Sequence, residues 1–399
     1  MAEACWGAMI LQQHVRSNVL MATACGGLFT YGIISALLGA ILPELRARLG
    51  FQVAAAGWLF AASYASQIPT AFVTGWLIDF FGKKPVFLSS CLLTVTAVLG
   101  IAYVMTYASL VALVLALGVA GSLISSSSNT LVADIYPETP SSALNIGHAF
   151  YGLGAVFVPV LVVLLVKPLG IQSVMWSVAA LVGGIGAVGL LEPFPGPHTS
   201  GALEWPAMGH AAFTRSLLLL TAVAFLTTAL LASLAAWIRI FFEQGSGASA
   251  QGSSMILALF WGLVSLGRLA GSHLVRKIRG ALLVLWASFG LVVGLVILAV
   301  APSLQFAAPA IALCGLCYAP IYPTTVGITH SLFPKFFATA FGILMAASLV
   351  GGFVLPVVVG YVAAGRGVRA GICVLVGSAT LLFGIQMVFV RIEQARDLL

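Results

Sequence analysis

The sequence predicts an all-α membrane protein with twelve transmembrane helices arranged as two pseudo-symmetric six-helix bundles. Three observations predict it: a composition that water does not suit, a run of apolar segments each long enough to cross a bilayer, and a recurrence of features about 197 residues apart.

The composition comes first. Of 399 residues, 61% are hydrophobic and 7% charged, against about a quarter charged in an ordinary soluble domain. The mean hydropathy is +1.14. Apolar runs cover residues 19–43, 55–78, 85–106, 108–133, 145–167, 171–192, 215–242, 253–275, 281–301, 305–332, 337–364 and 369–391. As helices, runs of this length match a hydrocarbon core about 30 Å thick. Barrel strands are about half as long and alternate in polarity. Helices are also required because lipid offers no partner to free backbone N–H and C=O groups.

The net charge of +7 invites a nucleic-acid reading, but no basic stripe interleaved with aromatic residues supports one. Topology explains the charge better. With both termini in the cytoplasm, Arg16, Lys83, Lys84, Arg215, Arg276, Lys277, Arg279, Lys335, Arg391 and Arg396 lie inside. Arg46, Arg48, Lys167, Arg239, Arg366 and Arg369 lie outside, and Arg268 falls within a span. This is a positive-inside bias. The first apolar run is too long for a cleaved signal peptide, so span 1 is expected to be retained, with Met9 and Met21 as alternative starts. The six cysteines sit in or beside apolar segments, which argues against a disulfide framework. Cys314-x-x-Cys317 has no second pair or nearby His, so buried small side chains are expected there, with no metal site and no cofactor.

The third observation divides the chain. Glu192-Pro-Phe-Pro-Gly-Pro-His198 breaks the apolar pattern and opens the one clear linker. The expected organisation is an N-terminal bundle over 1–192, a cytoplasmic linker over 193–214 and a C-terminal bundle over 215–399. Gly154-Ala-Val-Phe-Val-Pro159 and Gly351-Gly-Phe-Val-Leu-Pro356 share a Gly-x-x-x-x-Pro pattern at an offset of 197, and the same offset relates Tyr136-Pro137 to Phe333-Pro334. Two related bundles that rock about a shared cavity follow from such a repeat.

At the end of span 2, Gly75-Trp-Leu-Ile-Asp79-Phe-Phe-Gly82-Lys83-Lys84 resembles the loop signature of the major facilitator superfamily. Gly75 permits close helix contact, Asp79 can face a helix N-terminus, Gly82 turns the chain and the lysines stay cytoplasmic. The second half carries a decayed copy, Gly271-Ser-His-Leu-Val275-Arg276-Lys277, in which Val275 replaces the acid. The family's span 4 arginine motif is missing, so Asp79 is expected to meet the start of span 11. Within the superfamily, Asn145-Ile-Gly-His148-Ala-Phe-Tyr-Gly152 and Phe260-Trp261-Gly-Leu-Val-Ser-Leu-Gly267-Arg268 resemble the fucose and glucose permease branch. Proton-coupled members of that branch place acids where this chain has Gly39 and Ser125, and some carry one at the position of Leu231. The resemblance implies a major facilitator fold and a cavity lined by spans 1, 4, 7 and 10.

Two of those spans are polar in their own right. Span 4 holds Ser122, Ser125, Ser126 and Asn129, of which Ser122, Ser125 or Ser126, and Asn129 share a helical face, and span 10 holds Tyr318, Tyr322, Thr324 and Thr325, interrupted by Pro320 and Pro323. The offset carries Ser125 to Tyr322. Paired polar segments in both halves point to a central solute site. The other reading of the serines is hydrogen bonding between helices. Tyr31, Gln67, Trp237 and Trp261 join the expected pathway as aromatic and amide groups suited to a hydroxyl-rich ring, with Asn145 and His148 from span 5. His148 is either a titrating group or a structural one. Arg268 is expected to gate or brace, with Gly75, Asp79, Gly82, Lys83 and Lys84 as the cytoplasmic gating loop.

The expected activity is therefore secondary transport or facilitation of a small organic solute of sugar type, by alternating access, with proton or sodium as candidate coupling ion. Efflux of apolar compounds is the alternative, and a non-transporting membrane sensor a third reading. The partners are the solute and the lipid bilayer, not nucleic acid, and the expected location is the plasma (inner) membrane with both termini cytoplasmic. No catalytic motif such as His-Glu-x-x-His occurs, and no phosphate-binding glycine loop.

Overall fold

A computed structural model describes residues 2–51, 53–196, 214–242, 250–301 and 304–396. Most of the expected linker lies outside the described residues. Among these residues the chain forms helices and no strands: α1 (Ala2–Leu49), α2 (Val53–Phe81), α3 (Lys83–Ala102), α4 (Tyr107–Ile135), α5 (Pro140–Leu169), α6 (Ile171–Leu191), α7 (Arg215–Ile240), α8 (Ala250–Leu274), α9 (Gly280–Val300), α10 (Leu304–Tyr318), α11 (Ile321–Leu332), α12 (Phe337–Arg366) and α13 (Val368–Arg396). The twelve apolar runs thus appear as helices, one of them in two pieces. Ten candidate spans are long and apolar enough to cross a membrane, α10 and α11 counting together as one. Those outside the ten are α2, which carries Ser63, Ser66, Gln67, Thr70 and Thr74, and α8, which carries Arg268.

Glycines at positive φ stop four of these helices. Gly50, Gly82, Gly170 and Gly367 follow α1, α2, α5 and α12, and each donates its N–H to the carbonyl four residues back. A left-handed residue at this place satisfies a terminal carbonyl without a Cβ clash. Gly170 and Gly367 stand 197 residues apart. Thr106 and Thr214 cap the starts of α4 and α7 by accepting from Ser109 N and Leu217 N, at 3.2 and 3.3 Å.

The run expected as one helix over 305–332 is broken. Pro320 and Pro323 have no N–H, so the carbonyls of Leu316 and Ala319 lose their helical donors, and α10 ends at Tyr318 before α11 restarts at Ile321.

Two compact units result, Met1–Glu138, Phe150–Leu203 and Lys335–Gly342 in the first, and Thr139–Ala149, Glu204–Pro334 and Ile343–Leu399 in the second. The opening turns of α5 thus belong to the second unit and those of α12 to the first. Leu37, Ile41, Val98, Ile124 and Val178 sit in the first unit's core, and Leu230, Leu234, Val284, Leu291 and Leu375 in the second's.

The repeat is also visible in how helices touch. In the first unit a Cβ added at Gly154 would stand 2.0 Å from Phe29 O, and in the second one at Gly351 would stand 2.3 Å from Phe225 O. Likewise Gly118 lies against Ser63 O and Gly315 against Phe260 O. Small residues let these backbones approach closely, as membrane helices require. Gln386, the polar exception in the apolar α13, is fully buried and donates to Ala281 O at 3.0 Å. Large apolar side chains such as Leu92, Val163, Leu191, Trp286 and Tyr361 stay exposed, as suits helices whose solvent is lipid.

Candidate solute site and helix clasps

In the first unit, α2 and α4 meet where Gly118 leaves room. Ser122 Oγ donates to Gln67 O at 2.8 Å, and Gln67 Nε2 donates to Ser63 Oγ at 2.9 Å. A methyl at the neighbouring Gly121 would touch Tyr31 Cε2 at 3.6 Å and Gln67 Oε1 at 3.7 Å. The Tyr31 ring packs 5.3 Å from that of Tyr151 on α5, and Tyr64 lies within electrostatic reach of Tyr151. The expected residues Tyr31, Gln67 and Ser122 therefore share a neighbourhood, joined by Tyr64 and Tyr151. Ser125, Ser126 and Asn129 are buried one turn on, and Asn129 Nδ2 turns back to Ser125 O at 2.9 Å. Such bonds within a helix satisfy a polar group where no water is available.

Below this cluster the Gly75–Lys84 segment makes three contacts of different kinds. Asp79 accepts from Thr339 N at 2.9 Å and from Thr339 Oγ1 at 2.5 Å, so a carboxylate caps the first turn of α12. Gly75 permits this approach, because a Cβ there would fall 2.3 Å from Ala338 O. Lys83 and Asp134 form an ion pair of 2.5 Å with side chains 1% and 5% exposed. Lys84 Nζ donates to Leu190 O and Glu192 O at 2.8 and 2.9 Å, which places a cation at the carbonyl end of α6.

The second unit holds the start of α5 in a comparable way with opposite chemistry. Ser142 Oγ donates to Ser272 O at 2.8 Å and accepts from Arg276 Nε at 2.9 Å. Asn145 Nδ2 donates to Thr324 Oγ1 at 3.0 Å and to Ser141 O at 2.8 Å. Arg268, 3% exposed, donates from Nη1 to His148 O at 2.7 Å. The His148 ring stands edge-on to Tyr322 at 5.5 Å. Asn145, His148, Arg268 and Tyr322 thus come together, beside the broken α10–α11 joint where Gly267 packs on Leu316 O.

The remaining expected residues go elsewhere. Thr325 Oγ1 bonds to Ile321 O in its own helix, Tyr318 is buried in the core, Trp237 Nε1 donates to Pro356 O at 3.2 Å and Trp261 packs on Phe260.

The sequence profile of the Major Facilitator Superfamily matches residues 24–334. The chain belongs to that family.

One relative of this major facilitator protein is the uncharacterized MFS-type transporter YfkL of Bacillus subtilis, 23% identical over 352 residues, covering 85% of this chain and 88% of YfkL. The fold is that of FucP, the Escherichia coli fucose:proton symporter, solved in an outward conformation, with a TM-score of 0.81, 15% identity and coverage of 92% of this chain and 98% of FucP. It is also that of the human organic anion transporter MFSD10, with a TM-score of 0.78, 18% identity and coverage of 94% and 99%. Within a transporter family, the residues that sequence reasoning missed acquire interest. Thr339 and Ser142 stand 197 residues apart and occupy the two clasps, a signal present in the repeat. Tyr64 and Tyr151 carried no such signal, since aromatic residues are frequent throughout the chain.

Proposed function

We propose that this chain is a secondary transporter or facilitator of a small, uncharged organic solute of sugar type, working by alternating access between the halves 1–192 and 215–399. The observation that carries the reading is the chemistry of its polar sites. Tyr31, Gln67, Ser122, Tyr64 and Tyr151 in one unit, and Asn145 and Tyr322 in the other, offer hydroxyls, amides and aromatic faces without a carboxylate. Among the described residues, Glu3, Glu44, Asp79, Asp134, Glu138, Glu192 and Glu393 all lie near helix ends or in turns. A cationic solute would call for an acid at depth, as would a group that binds and releases protons, and the buried Arg268 guanidinium donates to His148 O. FucP is a fucose:proton symporter; the likeness supports the sugar type and leaves the driving force to this chain's own residues. Uptake of labelled neutral sugars into proteoliposomes tests the reading, and no transport across a broad sugar panel would remove the sugar class. Transport of lipophilic compounds instead would favour efflux.

Coupling has its own test. A Cβ at Gly39 meets open space, so Gly39→Asp fits without a clash at the place where proton-coupled members of the resembled branch carry an acid. The variant is expected to make transport depend on an inward proton gradient. A wild type already driven severalfold by that gradient would show that another group couples.

The Asp79–Thr339 clasp acts as a latch within the first unit, at the membrane face read as cytoplasmic. Asp79→Ala removes two bonds to a charged acceptor, worth about 1.5–3 kcal/mol in such settings. It is expected to lower uptake about tenfold and the melting temperature by several degrees, whereas Asp79→Asn, which keeps an acceptor, loses less of both. Equal loss in both variants would assign the effect to charge alone.

A further inference from the structure

A groove of about 470 Å³ runs along the first unit between α1 and α6, lined by Ala22, Thr23, Ala180, Gly184, Ile185 and Val188. Its floor is made by residue size. Ala180, Gly184 and Val188 follow at intervals of four and so stack along one face of α6, and a Cβ at Gly184 would meet nothing within 4 Å. The groove is apolar in effect, because the Thr23 hydroxyl is spent on Val19 O at 3.0 Å. From Ala180 to the end of α6 at Leu191 is about 16 Å of helix, close to half of a hydrocarbon core of about 30 Å. The groove's lining from Ala180 to Val188 covers about 12 Å of that length and stops about one turn short of the helix end.

Beyond the end of this lining, at the last carbonyls of α6, stands a cation. Lys84 is half-buried, and its bonds to Leu190 O and Glu192 O use two of the three ammonium hydrogens. Its contact with Glu192 is through the backbone carbonyl.

We propose that this groove is a binding site for one anionic phospholipid, an acyl chain lying along Ala180, Gly184 and Val188 and the headgroup phosphate accepting from Lys84. The leaflet is the one at the membrane face that carries the Lys83–Lys84 loop. A neutral phospholipid would fill the same groove with its chain, so the selectivity comes from Lys84.

Native mass spectrometry of the detergent-purified protein tests the site, with phosphatidylglycerol and phosphatidylcholine titrated in competition. The expected result is one retained phosphatidylglycerol, preferred at least severalfold. Gly184→Phe, which fills the groove from a position with open space, is expected to abolish retention of that lipid at an unchanged melting temperature. Lys84→Gln is expected to keep a lipid but lose the preference for the anionic headgroup, and inorganic phosphate alone is expected not to compete. Equal retention of both lipids by the wild type, or retention unchanged in Gly184→Phe, would overturn the proposal. So would a dimer that forms in place of lipid binding and is abolished by Gly184→Phe, which would make the groove an interface between copies.

Discussion

Lys83→Ala is expected to destabilise the protein by about 3–5 kcal/mol, the cost of leaving a buried charge without its counter-charge. The partner left behind is Asp134, 5% exposed on the last turn of α4, with Lys83 at 1% on the first turn of α3. Surface pairs rarely matter so much, because water screens them and solvates whichever partner remains. Neither route is open here. Asp134→Asn is expected to be similarly harmful, since it strands the ammonium. The paired change Lys83→Met with Asp134→Leu removes both charges from a site of similar volume and is expected to recover most of the loss. Thermal unfolding of the purified single and double variants checks this. A Lys83→Ala protein that melts like the wild type would show that water reaches the pair.

Gly154→Val is the second large effect. A Cβ at this position falls 2.0 Å from Phe29 O, a backbone atom that no rotamer change can move, so α1 and α5 must separate. Overpacking of this kind costs about 1–3 kcal/mol and occasionally more, and the short distance places Gly154→Val at the upper end. Gly351→Val meets Phe225 O at 2.3 Å and is expected to be slightly less damaging. Gly39→Val, which opens on free space, is the control for helix propensity and is expected to be near neutral. Expression yield and melting temperature of the three variants give the order. A Gly154→Val protein as stable as Gly39→Val would mean that the helices separate at little cost.

Those two glycines also show what was legible in the sequence. A Gly-x-x-x-x-Pro pattern at an offset of 197 announced two equivalent close approaches, because a glycine kept in the same register of two related halves answers to a neighbour's backbone. Asp79 was legible for a similar reason. An acid followed by a glycine turn and two lysines at a helix end suits the dipole of another helix start, and Thr339 is where it lands. The break in span 10 was only half legible: Pro320 and Pro323 marked an interruption, but whether two prolines bend a helix or divide it depends on what packs against the freed carbonyls, here Gly267. The solute neighbourhood was least legible. Serine hydroxyls and the Asn129 amide bond readily to their own helix, so a polar face in sequence does not say which groups remain free for a ligand. The tyrosines that join Tyr31 come from α2 and α5, and their proximity follows from the packing of three helices.

The sharing of α5 and α12 between the two units bears on how the protein is made. Ser142 finds Arg276 across 134 residues, Asn145 finds Thr324 across 179, and Asp79 finds Thr339 across 260. A ribosome adding about 5–20 residues per second leaves each of the earlier groups waiting for many seconds in a nascent chain whose first six spans have already emerged. During that interval the opening turns of α5 have no binding site, and Asp79 has no helix start to cap. The contacts that hold these two helix starts can therefore form only after the second half of the chain has been made.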